Sequence, residues 1–173
     1  SIHQFGRKAK NAVQKARKQV AALIGAEPDE ITFTSGATES NNTIFLGCPK
    51  LQGEEFGLNH IITSSIEHDA VLEPVRGFEK YGVQVTYLPV DEHGLVNPDD
   101  ITKSINEKTT IVSIMFANNE VGTIQPIKEI SKICNKYQIP LHTDAVQAAG
   151  KVPINVKELG IDALSISSHK ING

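Results

Sequence analysis

The chain has 173 residues, 39% of them hydrophobic and 21% charged, with a formal net charge of −3. That length can bury a core and suggests one domain, and the slightly acidic balance gives no electrostatic case for nucleic acid. No apolar stretch approaches the roughly 20 residues that span a bilayer, and the two cysteines, Cys48 and Cys134, make no disulfide framework and fit a reducing compartment.

Ser1-Ile-His-Gln4 opens straight into a charged helical pattern with no secretory signal, and the lack of an initiator Met suggests an internal segment. The first predicted helix runs from about Phe5 to Ile24. Val13, Ala16, Val20, Leu23 and Ile24 recur at helical spacing. Between them, Arg7, Lys8, Lys10, Lys15, Arg17 and Lys18 read as its wet face. Gly25 is a plausible C-terminal cap. Ile31-Thr-Phe33 reads as a short strand, and Thr34-Ser-Gly-Ala-Thr38 leads into a second helix.

His60-Ile-Ile-Thr-Ser64 has strand character. A helical pattern follows, with Val71, Leu72, Val75 and Phe78 on one face, and Pro74 marks a kink or a late start. Val83 to Leu88 alternates like a strand, and Asp91-Glu-His-Gly94 is a turn. Asn97 and Pro98 suit the cap and first position of a short helix. Thr110 to Met115 reads as a buried strand. Ile127, Ile130, Ile133, Cys134 and Tyr137 place a further helix before the strand Pro140 to Asp144. The last run, Ala163-Leu-Ser-Ile-Ser-Ser-His-Lys170, reads as a short strand ending in a hydroxyl, an imidazole and an amine.

Strands alternating with helices argue for an α/β fold: a mostly parallel sheet covered on both faces, a three-layer sandwich. In such sheets ligands collect beyond the carboxyl ends of the strands. Ser35 to Thr38, Ser65 to His68, Asn118-Asn119, Asp144 and His169-Lys170 all fall at such ends, the pattern of an active site.

The chemistry of these residues points to pyridoxal phosphate. A desolvated lysine becomes a nucleophile toward aldehydes, which makes Lys170 the candidate Schiff-base residue. A carboxylate such as Asp144 keeps a pyridine nitrogen protonated. Ser35 to Thr38 would offer backbone N–H groups to a phosphate at a helix start, with Ser167 and His169 as further donors. His68, in Glu67-His-Asp69, suits ring stacking and proton transfer. Asn118, Asn119 and Gln147 supply amides for the ring hydroxyl oxygen. Each feature alone also has a plain reading: a helix cap, a loop amide or a solvated charge. No His-Glu-x-x-His or paired-Cys spacing appears, so no metal site is expected. Cys48 reads as a loop thiol and Cys134 as a small core residue, with nothing basic nearby in sequence to activate either.

Five runs carry a resemblance along nearly the whole chain: Phe33-Thr-Ser-Gly-Ala-Thr-Glu-Ser-Asn-Asn42, Thr63-Ser-Ser-Ile-Glu-His68, Val112-Ser-Ile-Met-Phe-Ala-Asn-Asn-Glu-Val-Gly122, His142-Thr-Asp-Ala-Val-Gln147 and Ser165-Ile-Ser-Ser-His-Lys170. Together they resemble the cysteine desulfurases, the NifS/IscS-like group of the class V aminotransferase family of fold-type I pyridoxal-phosphate enzymes. The Asn-Asn-Glu-Val-Gly form is similar to the group I branch. The resemblance implies that residues 1–173 are the central part of the cofactor-binding large domain, with an N-terminal segment and a small C-terminal domain lying outside them.

It implies residue roles as well. Lys170 would form the Schiff-base link, Asp144 would pair with the pyridinium, and His68 would stack on the ring and share proton transfers with Lys170. Asn119 and Gln147 would contact the cofactor near its hydroxyl. Ala37, Thr38, Ser167 and His169 would hold the phosphate. The implied reaction turns L-cysteine into L-alanine and passes sulfur to an enzyme cysteine as a persulfide, for a sulfur-acceptor protein such as an iron–sulfur scaffold. The implied enzyme is a homodimer, cytoplasmic or organellar.

The family's substrate-carboxylate Arg and nucleophilic Cys have no counterpart here, since neither Cys48 nor Cys134 matches the nucleophile's place. Residues 1–173 alone are therefore expected to have little or no desulfurase activity. Ser168 stands where the family commonly has Gly, a mild change. Two other readings stay open: another class V enzyme, such as an aminotransferase or selenocysteine lyase, and a truncated scaffold without chemistry.

Overall fold

The computed structural model describes residues 3–51 and 57–172. Five strands pair in one parallel sheet: β1 His60–Ser64, β2 Gln84–Leu88, β3 Thr109–Ser113, β4 Leu141–Asp144 and β5 Ala163–Ser165, in the order β2-β1-β3-β4-β5. β1, β3 and β4 are buried at every position, as central strands of a covered parallel sheet must be. β2, at an edge, is buried only at Leu88.

Among the described residues six α-helices join and cover the strands: α1 Gln4–Ile24, α2 Ala37–Leu51, α3 Asp69–Glu79, α4 Pro98–Ser104, α5 Ile127–Tyr137 and α6 Val156–Leu159. Because side chains alternate across a strand, the sheet feeds two cores. Ile61 and Ile111 face α2 and α3, where they meet Phe45, Val71 and Val75. Ile62, Val112 and Leu141 face the other side and pack with Ala21, Ile24, Ile101, Ile127, Ile130 and Cys134. Each such aliphatic side chain removed from water contributes about 1.5–3 kcal/mol. The arrangement is the three-layer α/β fold expected from the sequence.

Local chemistry sets the helix ends. Gly25 closes α1 in the left-handed region at φ 69°. The Asn97 side chain accepts from the Asp99 N–H at the start of α4, with Pro98 in the first position. Pro74 neither starts nor ends α3, which continues through it.

The structure differs from the sequence reading in other places. Ile31-Thr-Phe33 is not a strand; Ile31 is buried, but among the described residues no strand pairs with the segment. The last run is a strand only through Ser165, and Lys170 sits on a single 3-10 turn, Ser168–Lys170. α6 and the 3-10 turn Pro28–Glu30 are too short to show a periodic pattern. Cys48's side chain lies outside the described residues.

The chain visits the β2 edge after β1, crosses back past β1 to β3, then steps outward to β4 and β5. The connections leaving β1 and β3 therefore depart in opposite directions. A sheet opens a crevice at such a reversal, beyond its carboxyl ends.

Candidate active site

A cleft of about 1160 Å³ lies at this reversal. The nine residues to which the resemblance gives roles line it: Ala37, Thr38, His68, Asn119, Asp144, Gln147, Ser167, His169 and Lys170. They arrive from the start of α2, the start of α3, the loop after β3, the end of β4 and the turn after β5.

Asp144 forms the buried back of the cleft. Its Oδ2 accepts from Asn41 Nδ2 and its Oδ1 from the Val146 N–H, both at 3.0 Å. A carboxylate whose two oxygens each receive an N–H is fixed in orientation. Asn41 went unmarked in the sequence reading, although it lies four residues after Ala37, on the same face of α2.

His68 is the N-cap of α3. Its Nδ1 accepts from the Ala70 N–H at 3.0 Å. A neutral imidazole that accepts at Nδ1 carries its proton on Nε2. The capping reading and the cleft-facing reading of this residue thus hold together.

Glu67, next to it, is buried, and its Oε1 accepts from Ser64 Oγ at 2.6 Å and from the Met115 N–H at 2.9 Å. Burial pushes its carboxyl up to about 8, and the charge of Asp144 pushes the same way, while the two donors pull it back.

Asn118 does not serve as a cleft amide. Its Nδ2 donates to the Ile66 carbonyl at 2.8 Å, and its Oδ1 accepts from the N–H groups of Glu120 and Val121. It fastens the loop after β3 to the loop after β1 and presents its neighbour, Asn119, to the cleft. Gln147 Oε1 accepts from Lys151 Nζ at 2.9 Å.

On the opposite wall, Ser167 Oγ and His169 Nδ1 are hydrogen-bonded at 2.8 Å. Thr38 stands in the first turn of α2, where unpaired N–H groups and the helix dipole favour an anion. Lys170 is exposed at the mouth of the cleft, not crowded as the sequence reading expected. The last 3-10 turn lifts it off the buried strand end.

Cys134 is buried on α5 and its thiol is pushed up to about 12, chiefly by burial. Among the described residues no group of three His, Cys, Asp or Glu side chains could hold a metal ion. Among them, too, no helix is long and apolar enough to cross a membrane.

Comparison with known proteins agrees in sequence and in shape. The chain is 54% identical to a cysteine desulfurase IscS of Dictyoglomus turgidum over 177 residues, covering 100% of this chain and 43% of that protein. It is 51% identical to a mitochondrial cysteine desulfurase of Candida albicans, covering 100% of this chain and 35% of that protein. The solved structure of SspA in complex with cysteine superposes with a TM-score of 0.94 at 42% identity, over 100% of this chain and 49% of that one. The chain thus spans less than half the length of these relatives. The family model for class-V aminotransferases matches residues 1–173, and on that match, with the parallel sheet and its cleft, this chain belongs to the class-V aminotransferase family.

Proposed function

We propose that the protein carrying this chain is a pyridoxal-phosphate-dependent cysteine desulfurase. The observation that carries the proposal is Asp144: a buried carboxylate, held by two N–H donors, at the back of the same cleft that Lys170 borders. The names of the relatives, and cysteine in the solved SspA complex, support the substrate.

The residues fit the cofactor. Asp144 would hold the pyridine nitrogen and Lys170 would anchor the aldehyde carbon. The first turn of α2 at Ala37 and Thr38, with Ser167 and His169, would hold the phosphate. His68 would lie against the ring, with Nε2 as its proton-bearing atom, and Asn119 and Gln147 would reach the ring hydroxyl. When bound, pyridoxal phosphate supplies the electron sink for carbanion chemistry. The chain's own residues orient it, exclude water and move protons at His68 Nε2 and Lys170 Nζ.

The reaction is L-cysteine plus an enzyme thiol giving L-alanine plus an enzyme persulfide. A thiolate attacks the substrate sulfur, the carbon–sulfur bond breaks with its electron pair left on carbon, and that carbon takes up a proton. Cys134 is too deeply buried to be that thiolate. A sulfur-acceptor protein, such as an iron–sulfur scaffold, would take the persulfide sulfur. The protein would act as a homodimer, in a cytoplasmic or organellar compartment.

Borohydride reduction of the cofactor-loaded full-length protein, followed by peptide mapping, tests this. An adduct on Lys170 together with alanine release from L-cysteine is the expected result. No adduct, or an adduct without alanine release, overturns the proposal.

A further inference from the structure

Two carboxyls lie buried behind the cleft, Glu67 and Asp144, and their surroundings differ in one respect. Both oxygens of Asp144 accept an N–H. Glu67 takes two donors, Ser64 Oγ and the Met115 N–H, on Oε1, and its Oε2 is buried with no partner among the described residues. An ionised carboxylate with one oxygen buried and unpaired is costly, whereas a protonated one places no charge there. We propose that Glu67 is a positioning residue that carries a proton on Oε2 beside Asp144.

The neighbours of Glu67 bear this out. Ser64 faces it from β1, the Met115 amide from the end of β3, and Asp144 from the end of β4. The charge of Asp144 acts on Glu67 and disfavours a second negative charge there. Adjacent His68 has its Nδ1 turned away to the Ala70 N–H. Through Oε1, Glu67 also ties the loop that carries His68 to the strand end that leads to Asn119. A neutral Glu67 keeps this tie without weakening the charge that Asp144 offers to a pyridine nitrogen. That last use rests on the function proposed above; the proton's place does not.

Infrared difference spectra of the cofactor-free full-length protein, parent against Glu67→Gln, test the proposal. At pH 7 the parent should show a protonated carboxylic acid band that Glu67→Gln lacks, and the band should fade as the pH rises through about 8. Gln copies the neutral form, so Glu67→Gln should melt within about a degree of the parent, while Glu67→Ala, which strands both donors, melts several degrees lower. No such band at pH 7, or Glu67→Gln melting as low as Glu67→Ala, overturns the proposal. A missing borohydride adduct on Lys170 with the band in place would sink the cofactor reading alone.

Discussion

Asn41 Nδ2 donates to Asp144 Oδ2 at 3.0 Å, although 103 positions separate the two residues in the chain. The bond fastens the first turns of α2, a wall of the cleft, to the end of β4, its back. Hydrogen bonds to charged groups contribute about 1.5–3 kcal/mol. Asn41→Ala should therefore lower unfolding free energy by about 2 kcal/mol and weaken pyridoxal phosphate binding by about tenfold or more. Absorbance titration of the cofactor and urea unfolding would measure both, and parental values in each would remove Asn41 from the site.

His142 is fully buried between Ser113 Oγ, at 2.8 Å from Nδ1, and Ser165 Oγ, at 3.2 Å from Nε2. Burial lowers its pKa to about 3, so it is neutral in the folded protein. The sign follows by linkage. Between about 6.5 and 3 the unfolded chain binds a proton that the folded chain does not, so this contribution is complete above 6.5 and is lost as pH falls. Glu67 works in the opposite direction: its carboxyl is raised to about 8, and its contribution fades as pH climbs from about 4.5 toward 8. Nitrogen NMR at pH 5 should find the His142 ring neutral; because the two contributions offset each other between about 6.5 and 4.5, unfolding free energy should fall only below about pH 4.5.

Phe45 is 0% exposed and meets two rings edge-on, Phe78 at 6.3 Å and His142 at 5.9 Å. It is the contact through which α2 grips both the sheet and α3. Phe45→Ala should cost about 3–5 kcal/mol, seen as a lower urea midpoint at unchanged slope.

At Gly25 a Cβ would lie 2.7 Å from Asn155 Cγ, on a backbone with φ of +69°. Asn155 caps α6 by accepting from the N–H groups of Lys157 and Glu158. Gly25→Ala should therefore strain the end of α1 and displace the α6 cap together, costing about 2 kcal/mol. Gly82, at φ +90° with nothing within 4 Å of a Cβ, is the comparison. Gly82→Ala should cost less, since only backbone strain acts there. Equal losses in thermal unfolding would mean that the Asn155 contact is immaterial.

The central strands, the long helices and the cleft residues were legible because each leaves a mark on sequence. β1 and β3 are apolar runs, α5 repeats at Ile127, Ile130 and Cys134, Asp144 ends β4, and Lys170 follows the last strand on a short turn. What escaped depends on partners distant in the chain. Ile31 to Phe33 has the composition of a strand but, among the described residues, no strand to pair with. Asn118 and Asn119 look alike in sequence; only the Ile66 carbonyl, brought in by β1, makes the first a fastening and leaves the second for the cleft. Glu67 reads as one charge in a polar triplet until the Met115 amide and Asp144 close around it.

The reversal of strand order also bears on timing. Asn41 must wait for Asp144, and the cleft has no closed outline until β5 has joined β4 and delivered the turn that bears Lys170. Non-local pairings of this kind are slow to form, because loop closure must precede their reward. On a ribosome the first helices would emerge long before the pocket they border. Under the proposed function, appearance of the bound cofactor's yellow colour would mark the last folding event of this segment, and would serve as a stopwatch for it.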